Sequence, residues 1–142
     1  MLTVKHLLER KGSQVHAVEP EAPVLEAVRL MAEKHVGALL VMRGKELVGI
    51  VSERDYARKV ILLGRSSADT PVRQIMSAPV TTVTPAQTVN ECMQTVTQQR
   101  IRHLPVVDSG RVVGVVSIGD LVKAVIETQQ EQIEQLERYI SS

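Results

Sequence analysis

The sequence repeats itself at an offset of 65 residues, and this duplication constrains the fold more than any other feature. Residues 47–55 read LVGIVSERD and residues 112–120 read VVGVVSIGD, with the same glycine, serine and aspartate at the same spacing. The match continues without a gap between residues 15–60 and residues 80–125. The chain is therefore predicted to contain two copies of one structural unit.

Each copy carries the same order of predicted elements. Residues 15–18 and 80–83 are β-branched runs that end near a proline, which predicts two brief strands. Apolar residues at helical spacing begin at Val24 and again at Val89, and two apolar runs joined by a glycine-containing turn then predict a hairpin in each copy. A second helix follows each hairpin, in the first copy from Asp55 to about Leu63. The unit is strand–helix–strand–strand–helix, which is an α+β fold.

A unit of about 60 residues buries too little surface to be secure alone. The two copies are therefore expected to pack face to face about a pseudo-twofold axis. A short helix is predicted before each copy, at Val4–Leu8 and at Val72–Met76, with Thr70 and Pro71 as its start signal in the second case. The predicted organisation is repeat 1 at 1–64, a linker at 65–71, repeat 2 at 72–127 and a helical extension at 128–142.

Composition excludes several classes of function. The net charge is +1, which steers the chain toward neither nucleic acid nor an anionic membrane, and with no Phe or Trp it lacks stacking platforms for single-stranded nucleic acid. The longest uncharged apolar run, Val36–Met42, is too short to span a bilayer, and the single cysteine fits a reducing compartment. His6, His16 and His35 lack metal-ligand spacing. We expect a cytoplasmic protein that binds no metal, and we expect Cys92 to fill space in the core.

The repeated Ser-x-x-Asp phrase admits two interpretations. In the structural one, Ser52 or Ser117 caps a helix, and Asp55 or Asp120 reaches back to the backbone N–H of the cap. In the functional one, the same helix start offers N–H groups and the hydroxyl to a phosphate, while the carboxylate accepts both hydroxyls of a ribose. The second interpretation describes a nucleotide clamp without catalytic chemistry.

The duplicated unit resembles a pair of CBS domains (cystathionine β-synthase domains), the tandem called a Bateman module. The resemblance covers the chain from about Val4 to Val125. One departure is Leu40, where many relatives have a proline, as this chain has at Pro105. The residues that carry the resemblance are Gly49-x-x-Ser52-x-x-Asp55, Gly114-x-x-Ser117-x-x-Asp120, and the preceding runs VGALLV (36–41) and IRHLPV (101–106).

The resemblance implies an adenine-nucleotide ligand, such as AMP, ADP, ATP, NAD or S-adenosylmethionine, in clefts between the repeats. In such proteins the aspartate holds the ribose and the serine meets phosphate. The Asp55 cleft is expected to be the more basic one because Arg54 takes the place of Gly119, so it suits a phosphate chain. The Asp120 cleft is expected to suit a nucleoside or monophosphate. Carried over, the implied groups are Ser52, Arg54 and Asp55 with Arg102 and His103, and Ser117, Gly119 and Asp120 with Gly37 and Ala38.

The sequence thus predicts a nucleotide sensor, with no obligate cofactor, that signals energy state to an unidentified effector protein. The alternatives are a structural dimerisation module with vestigial clefts, or a nucleotide-processing enzyme, for which no paired base and nucleophile is seen. In the extension, Ile133, Leu136 and Ile140 form one apolar stripe on a polar helix. That helix either folds back on its own domain or crosses to a second subunit in a homodimer.

Overall fold

The computed structural model describes residues 1–141 and confirms an α+β fold with a long C-terminal helix. Ser142 lies outside the described residues. The strands are β1 (Ala17–Val18), β2 (Ala38–Arg43), β3 (Glu46–Ser52), β4 (His103–Asp108) and β5 (Arg111–Ser117). The helices are α1 (Val4–Lys11), α2 (Val24–Lys34), α3 (Glu53–Tyr56), α4 (Val89–Gln99) and α5 (Ile118–Ser141).

The chain forms two compact units. The first unit is residues 14–81, and its sheet has the order β1-β2-β3, with β1 parallel to β2 and β2 antiparallel to β3. The second unit joins residues 1–13 to the chain from residue 82 onward, and its sheet contains β4 and β5. In both hairpins the first residue of the leading strand lies opposite the serine of the Ser-x-x-Asp phrase.

The first unit has a three-stranded sheet and the second only a two-stranded one, so the predicted strand at 80–83 is wrong. In the first unit the N–H of Leu40 donates to the carbonyl of His16, which fixes β1 beside β2. Pro105 occupies the equivalent position in the second unit and has no N–H to donate. There the pairing is reduced to a single bridge between Val83 and Val106.

The segment before each repeat packs by the same backbone bonds onto the unit that contains the other repeat. In the second unit, the N–H of Val4 donates to the carbonyl of Gln87 at 2.9 Å. In the first unit, the N–H of Val72 donates to the carbonyl of Ala22 at 2.8 Å. Gln87 and Ala22 are equivalent positions of the two repeats. The segment before the first repeat, residues 1–13, therefore belongs to the second unit, and the segment before the second repeat belongs to the first unit. We call this the exchange of the preceding segments.

Two predicted helices take other forms. The helix predicted at Val72–Met76 is a short 3₁₀ turn, Val72–Gln74. The helix predicted from Asp55 to Leu63 begins two residues earlier, as α3, and continues as a π-helix over Ala57–Ile61. Neither difference was visible in the apolar spacing, which does not distinguish 3.6 residues per turn from its neighbours over so short a segment.

The apolar stripe of each main helix faces its own core. Val24, Ala27 and Met31 are buried in the first unit, as are Val89, Cys92 and Val96 at the matching positions in the second. Cys92 is fully buried, and this burial raises the pKa of its thiol to about 11. A thiol in this state is protonated at neutral pH and unreactive, consistent with its expected place in the core.

Candidate functional site

The first Ser-x-x-Asp turn, residues 52–55, lies where β3 ends and α3 begins. The N–H of Ser52 donates to Oδ2 of Asp55 at 2.9 Å, and the Ser52 hydroxyl donates to the same oxygen at 3.1 Å. The N–H of Asp55 donates back to Oγ of Ser52 at 3.2 Å. Lys59 lies 3.2 Å from the other carboxylate oxygen, Oδ1. Both carboxylate oxygens and the serine hydroxyl are therefore engaged.

The second turn, residues 117–120, lies where β5 meets α5 and is less completely engaged. The N–H of Ser117 donates to Oδ2 of Asp120 at 2.8 Å, and the N–H of Asp120 donates to Oγ of Ser117 at 3.1 Å. Lys11 also contacts Oδ2, at 2.6 Å. The bonds from Lys11 and from the Ser117 N–H both reach Oδ2 of Asp120 and leave Oδ1 unused, while the Ser117 side chain also bonds to this carboxylate. This turn therefore keeps Oδ1 of Asp120 as an acceptor for a ligand.

The lysine beside each aspartate was missed by sequence reasoning. Lys59 comes from the helix that follows Asp55, and its ammonium also donates to the carbonyl of Ile75 at 2.9 Å. Lys11 comes from α1, and its ammonium also donates to the carbonyl of Val115 at 2.9 Å. The two lysines do not align under the repeat, because Ala124 stands at the position of Lys59. The structure therefore places an ammonium at both turns, where the sequence indicated extra positive charge at the first.

The surroundings of Asp120 favour its charged form. Burial alone would raise the pKa of this carboxyl, but the hydrogen bond and charge of Lys11, with the bonds from Ser117, outweigh burial and lower the pKa. A carboxyl with a lowered pKa in the folded state stabilises the fold above its unfolded pKa, and this contribution disappears as the pH falls through the folded pKa.

Replacing Lys11 with methionine is expected to cost about 1 kcal/mol or less of unfolding free energy at pH 7, since the pair is partly exposed. The difference from wild type should begin to shrink below the unfolded aspartate pKa of about 4 and disappear as the pH falls through the lower pKa of folded Asp120. Urea unfolding at pH 7 and pH 3 measures both values. Arg10→Met is the control, because it breaks the more exposed pair with Glu127 and leaves Asp120 alone. An equal loss at the two pH values for Lys11→Met would contradict this account.

The structure brings the start of each hairpin to the turn of its own repeat. In the first unit, Ala38 pairs with Ser52, and the carbonyl of Gly37 accepts from the N–H of Glu53 at 3.1 Å. In the second unit, His103 pairs with Ser117, and the carbonyl of Arg102 accepts from the N–H of Ile118 at 2.8 Å. The pairing of these residues with the turn of the other repeat, which the resemblance implies, stays a prediction.

The remaining predicted site residues lie on the surface. Arg54 and Arg102 are exposed, and neither takes part in a salt bridge within residues 1–141. Gly119 is also exposed, and a Cβ at this position would meet only the Ser117 hydroxyl, at 3.6 Å. In the described part of the chain no three His, Cys, Asp or Glu side chains group as metal ligands. Within the same residues, no helix has the length and apolar character needed to cross a bilayer.

Comparison with known proteins identifies both halves of the chain. A family model for the CBS domain matches residues 2–61 and again residues 72–127. The Arabidopsis thaliana protein "CBS domain-containing protein CBSX3, mitochondrial" is 40% identical over 97% of this chain and 71% of its own length.

Solved structures share the fold. A protein with CBS domains from Burkholderia ambifaria is 51% identical, with a TM-score of 0.87 over 89% of this chain and 96% of that one. A CBS domain protein from Pyrobaculum aerophilum, solved in complex with AMP, is 28% identical, with a TM-score of 0.74 over 84% of this chain and 89% of that one. The duplicated fold is thus shared with proteins of which at least one was solved with AMP bound.

Proposed function

This chain belongs to the CBS-domain family, and on that premise we propose that it is an adenine-nucleotide-binding regulatory protein. Two findings support the proposal: the complex of the Pyrobaculum aerophilum relative with AMP, and the retention of serine and aspartate in both turns of this chain. The ligand class is AMP, ADP, ATP or NAD.

One observation at the second turn carries the proposal. Oδ2 of Asp120 accepts hydrogen bonds from the Ser117 N–H and from Lys11, so Oδ1 remains able to accept from a ribose hydroxyl. The Ser117 hydroxyl accepts from the N–H of Asp120, and it can rotate its proton from the carboxylate to a phosphate oxygen. A single carboxylate can therefore cap its helix and hold a sugar at the same time, so the structural and functional interpretations of the motif are compatible.

Basic groups near the second turn complete the proposed site. Lys11 lies on Asp120, and Arg102 and His103 lie at the start of the strand paired with Ser117. Cationic side chains form strong charge-assisted hydrogen bonds with phosphate oxygens. We assign these side chains to the phosphate at this turn, in place of the Asp55 site to which the resemblance assigned Arg102 and His103, and we assign Gly119 to the close approach of the ligand at the helix start.

The first turn is proposed as the weaker of two sites. Ser52 and Asp55 are fully engaged, so a ligand there must displace Lys59 or the serine hydroxyl. Arg54, Gly37 and Ala38 would line it. This engagement is also the observation that favours the second candidate function, a structural module with vestigial sites. On that hypothesis both aspartates serve only as helix caps.

Regulation would be exerted on a partner protein. We propose that the chain has no enzymatic activity and works in the cytoplasm. Ligand binding would shift a conformational equilibrium by no more than its differential affinity for the two states. An effector protein would read that shift, and the chain itself would form a homodimer.

Thermal unfolding with a ligand panel tests the proposal. AMP, ADP, ATP and NAD are compared with GMP, and a ligand at 100 times its dissociation constant should stabilise the fold by about 2.7 kcal/mol. Asp120→Asn is the discriminating variant, because its remaining oxygen can still cap the helix while an amide replaces the acceptor Oδ1. We expect it to weaken nucleotide binding roughly 10- to 100-fold by calorimetry, and to cost about 1 kcal/mol or less of stability without ligand through the lost ion pair with Lys11.

Asp55→Asn is the matched control, and it should change affinity less than about threefold because the first turn is the weaker site. Equal losses in the two variants would contradict the ranking of the turns. If no adenosine compound at millimolar concentration raises the unfolding temperature, the binding proposal is wrong and the structural module remains.

A further inference from the structure

The last half of α5 is exposed to solvent along its described length. Every residue from 129 to 141 is exposed, so this helix does not fold back onto its own domain. Its apolar side chains nonetheless share one face. Ile126, Ile133, Leu136 and Ile140 are each between 50% and 75% exposed, and Val122 extends the same face toward the body of the second unit.

The spacing of that face is the spacing of a coiled coil. Ile126, Ile133 and Ile140 recur every seven residues, and Val122, Gln129 and Leu136 recur every seven residues between them. This is the alternation of a and d positions in a heptad, with isoleucine at a. A seam of two positions in seven suits one partner helix, whereas a helix packed on a globular core carries a wider apolar face.

We propose that residues 122–140 of α5 form an antiparallel two-helix coiled coil with the same segment of a second copy of this chain. In this register Ile126 faces Leu136 of the second copy, Ile133 faces Gln129 of the second copy, and Ile140 faces Val122 of the second copy. Each core layer then pairs an a residue with a d residue. This inference does not depend on nucleotide binding.

Charge complementarity selects the second copy and the antiparallel direction. Lys123 and Glu137 both occupy the e position that flanks the seam, and antiparallel helices bring e positions together. Lys123 of each chain then lies beside Glu137 of the other, which gives two ion pairs related by symmetry. Within residues 1–141 neither side chain takes part in a salt bridge, so both are available.

A parallel pairing lacks this complementarity. There g positions meet e positions five residues further on, so Lys123 would face Ile118 and Glu137 would face Gln132. No ion pair would form across the interface, and the ammonium of Lys123 would lie against an apolar side chain. The sequence of the helix therefore matches the antiparallel arrangement of two identical chains.

Sedimentation equilibrium of the full chain and of variants tests the proposal. Deletion of residues 129–142 should convert the dimer to a monomer without unfolding it, because the buried residues of α5 are Leu121 and Ala124. Ile133→Glu should raise the dissociation constant at least 100-fold. Lys123→Glu and Glu137→Lys should each raise it about tenfold at low salt, since each places like charges together twice.

The variant that exchanges the charges of Lys123 and Glu137 is the most discriminating test. The double variant Lys123→Glu with Glu137→Lys should return to within about twofold of wild type. Glu131→Lys, on the opposite face of the helix, is the matched control for Glu137→Lys and should leave the dissociation constant unchanged. A deletion variant with the mass of the full chain, or a double variant weaker than either single one, would overturn the proposal. A monomeric wild-type chain would overturn it as well.

Discussion

Replacing Leu7 with alanine is expected to lower the free energy of unfolding by about 2–5 kcal/mol, since this side chain is 5% exposed within a packed core. The loss should appear in the second unit, although Leu7 precedes the first repeat in sequence. Its core neighbours include Val89, Cys92 and Leu104. A cavity beside these residues weakens α4 and the β4–β5 hairpin.

Native-state hydrogen exchange locates the effect. In Leu7→Ala, amides of β4 and β5 should lose more protection than those of β2 and β3. Ile75→Ala is the matched variant, because Ile75 lies 68 residues after Leu7 and is fully buried in the first unit. It should weaken β2 and β3 instead. If Leu7→Ala acts mainly on residues 14–81, the exchange of the preceding segments does not occur in solution.

Much of the fold was predictable from periodicity. The helical stripes beginning at Val24 and Val89, and both hairpins, follow from local apolar spacing, and the structure confirms them. Which repeat α1 packs against was not predictable, because spacing shows that a helix has an apolar face without showing what covers it. The lost strand at 80–83 depends on one missing N–H at Pro105, a tertiary effect that β-propensity does not contain.

Part of the candidate site was likewise predictable from the sequence, and part was not. The serine and aspartate of both turns follow from the repeat, and their cap geometry follows from the capping-box spacing. Lys11 and Lys59 could not be found by that route, because they reach the aspartates from different elements. The roles of Arg54, Arg102 and the other proposed ligand contacts remain predictions, since they concern a bound molecule.

Replacing Gly114 with valine is expected to lower the free energy of unfolding by about 1–3 kcal/mol. The backbone of Gly114 does not have the positive φ that demands glycine, so space alone restricts the position. A Cβ at Gly114 would lie 2.7 Å from Cδ2 of Leu8, and the added methyl groups would press further on α1. Thermal and urea unfolding measure the loss, and exchange of α1 amides should increase.

A double-variant cycle separates this close contact from any other effect of valine in β5. Leu8→Ala removes the atoms that the new side chain meets, so Gly114→Val should cost much less in that background, with a coupling energy of about 1–3 kcal/mol. The repeat supplies a matched pair in the first unit, where Gly49 contacts Met76 as Gly114 contacts Leu8. Met76→Ala should therefore relieve Gly49→Val and leave Gly114→Val unchanged. Additive losses in the Leu8 cycle would show that α1 does not pack over Gly114, and the place of residues 1–13 in the second unit would have to be abandoned.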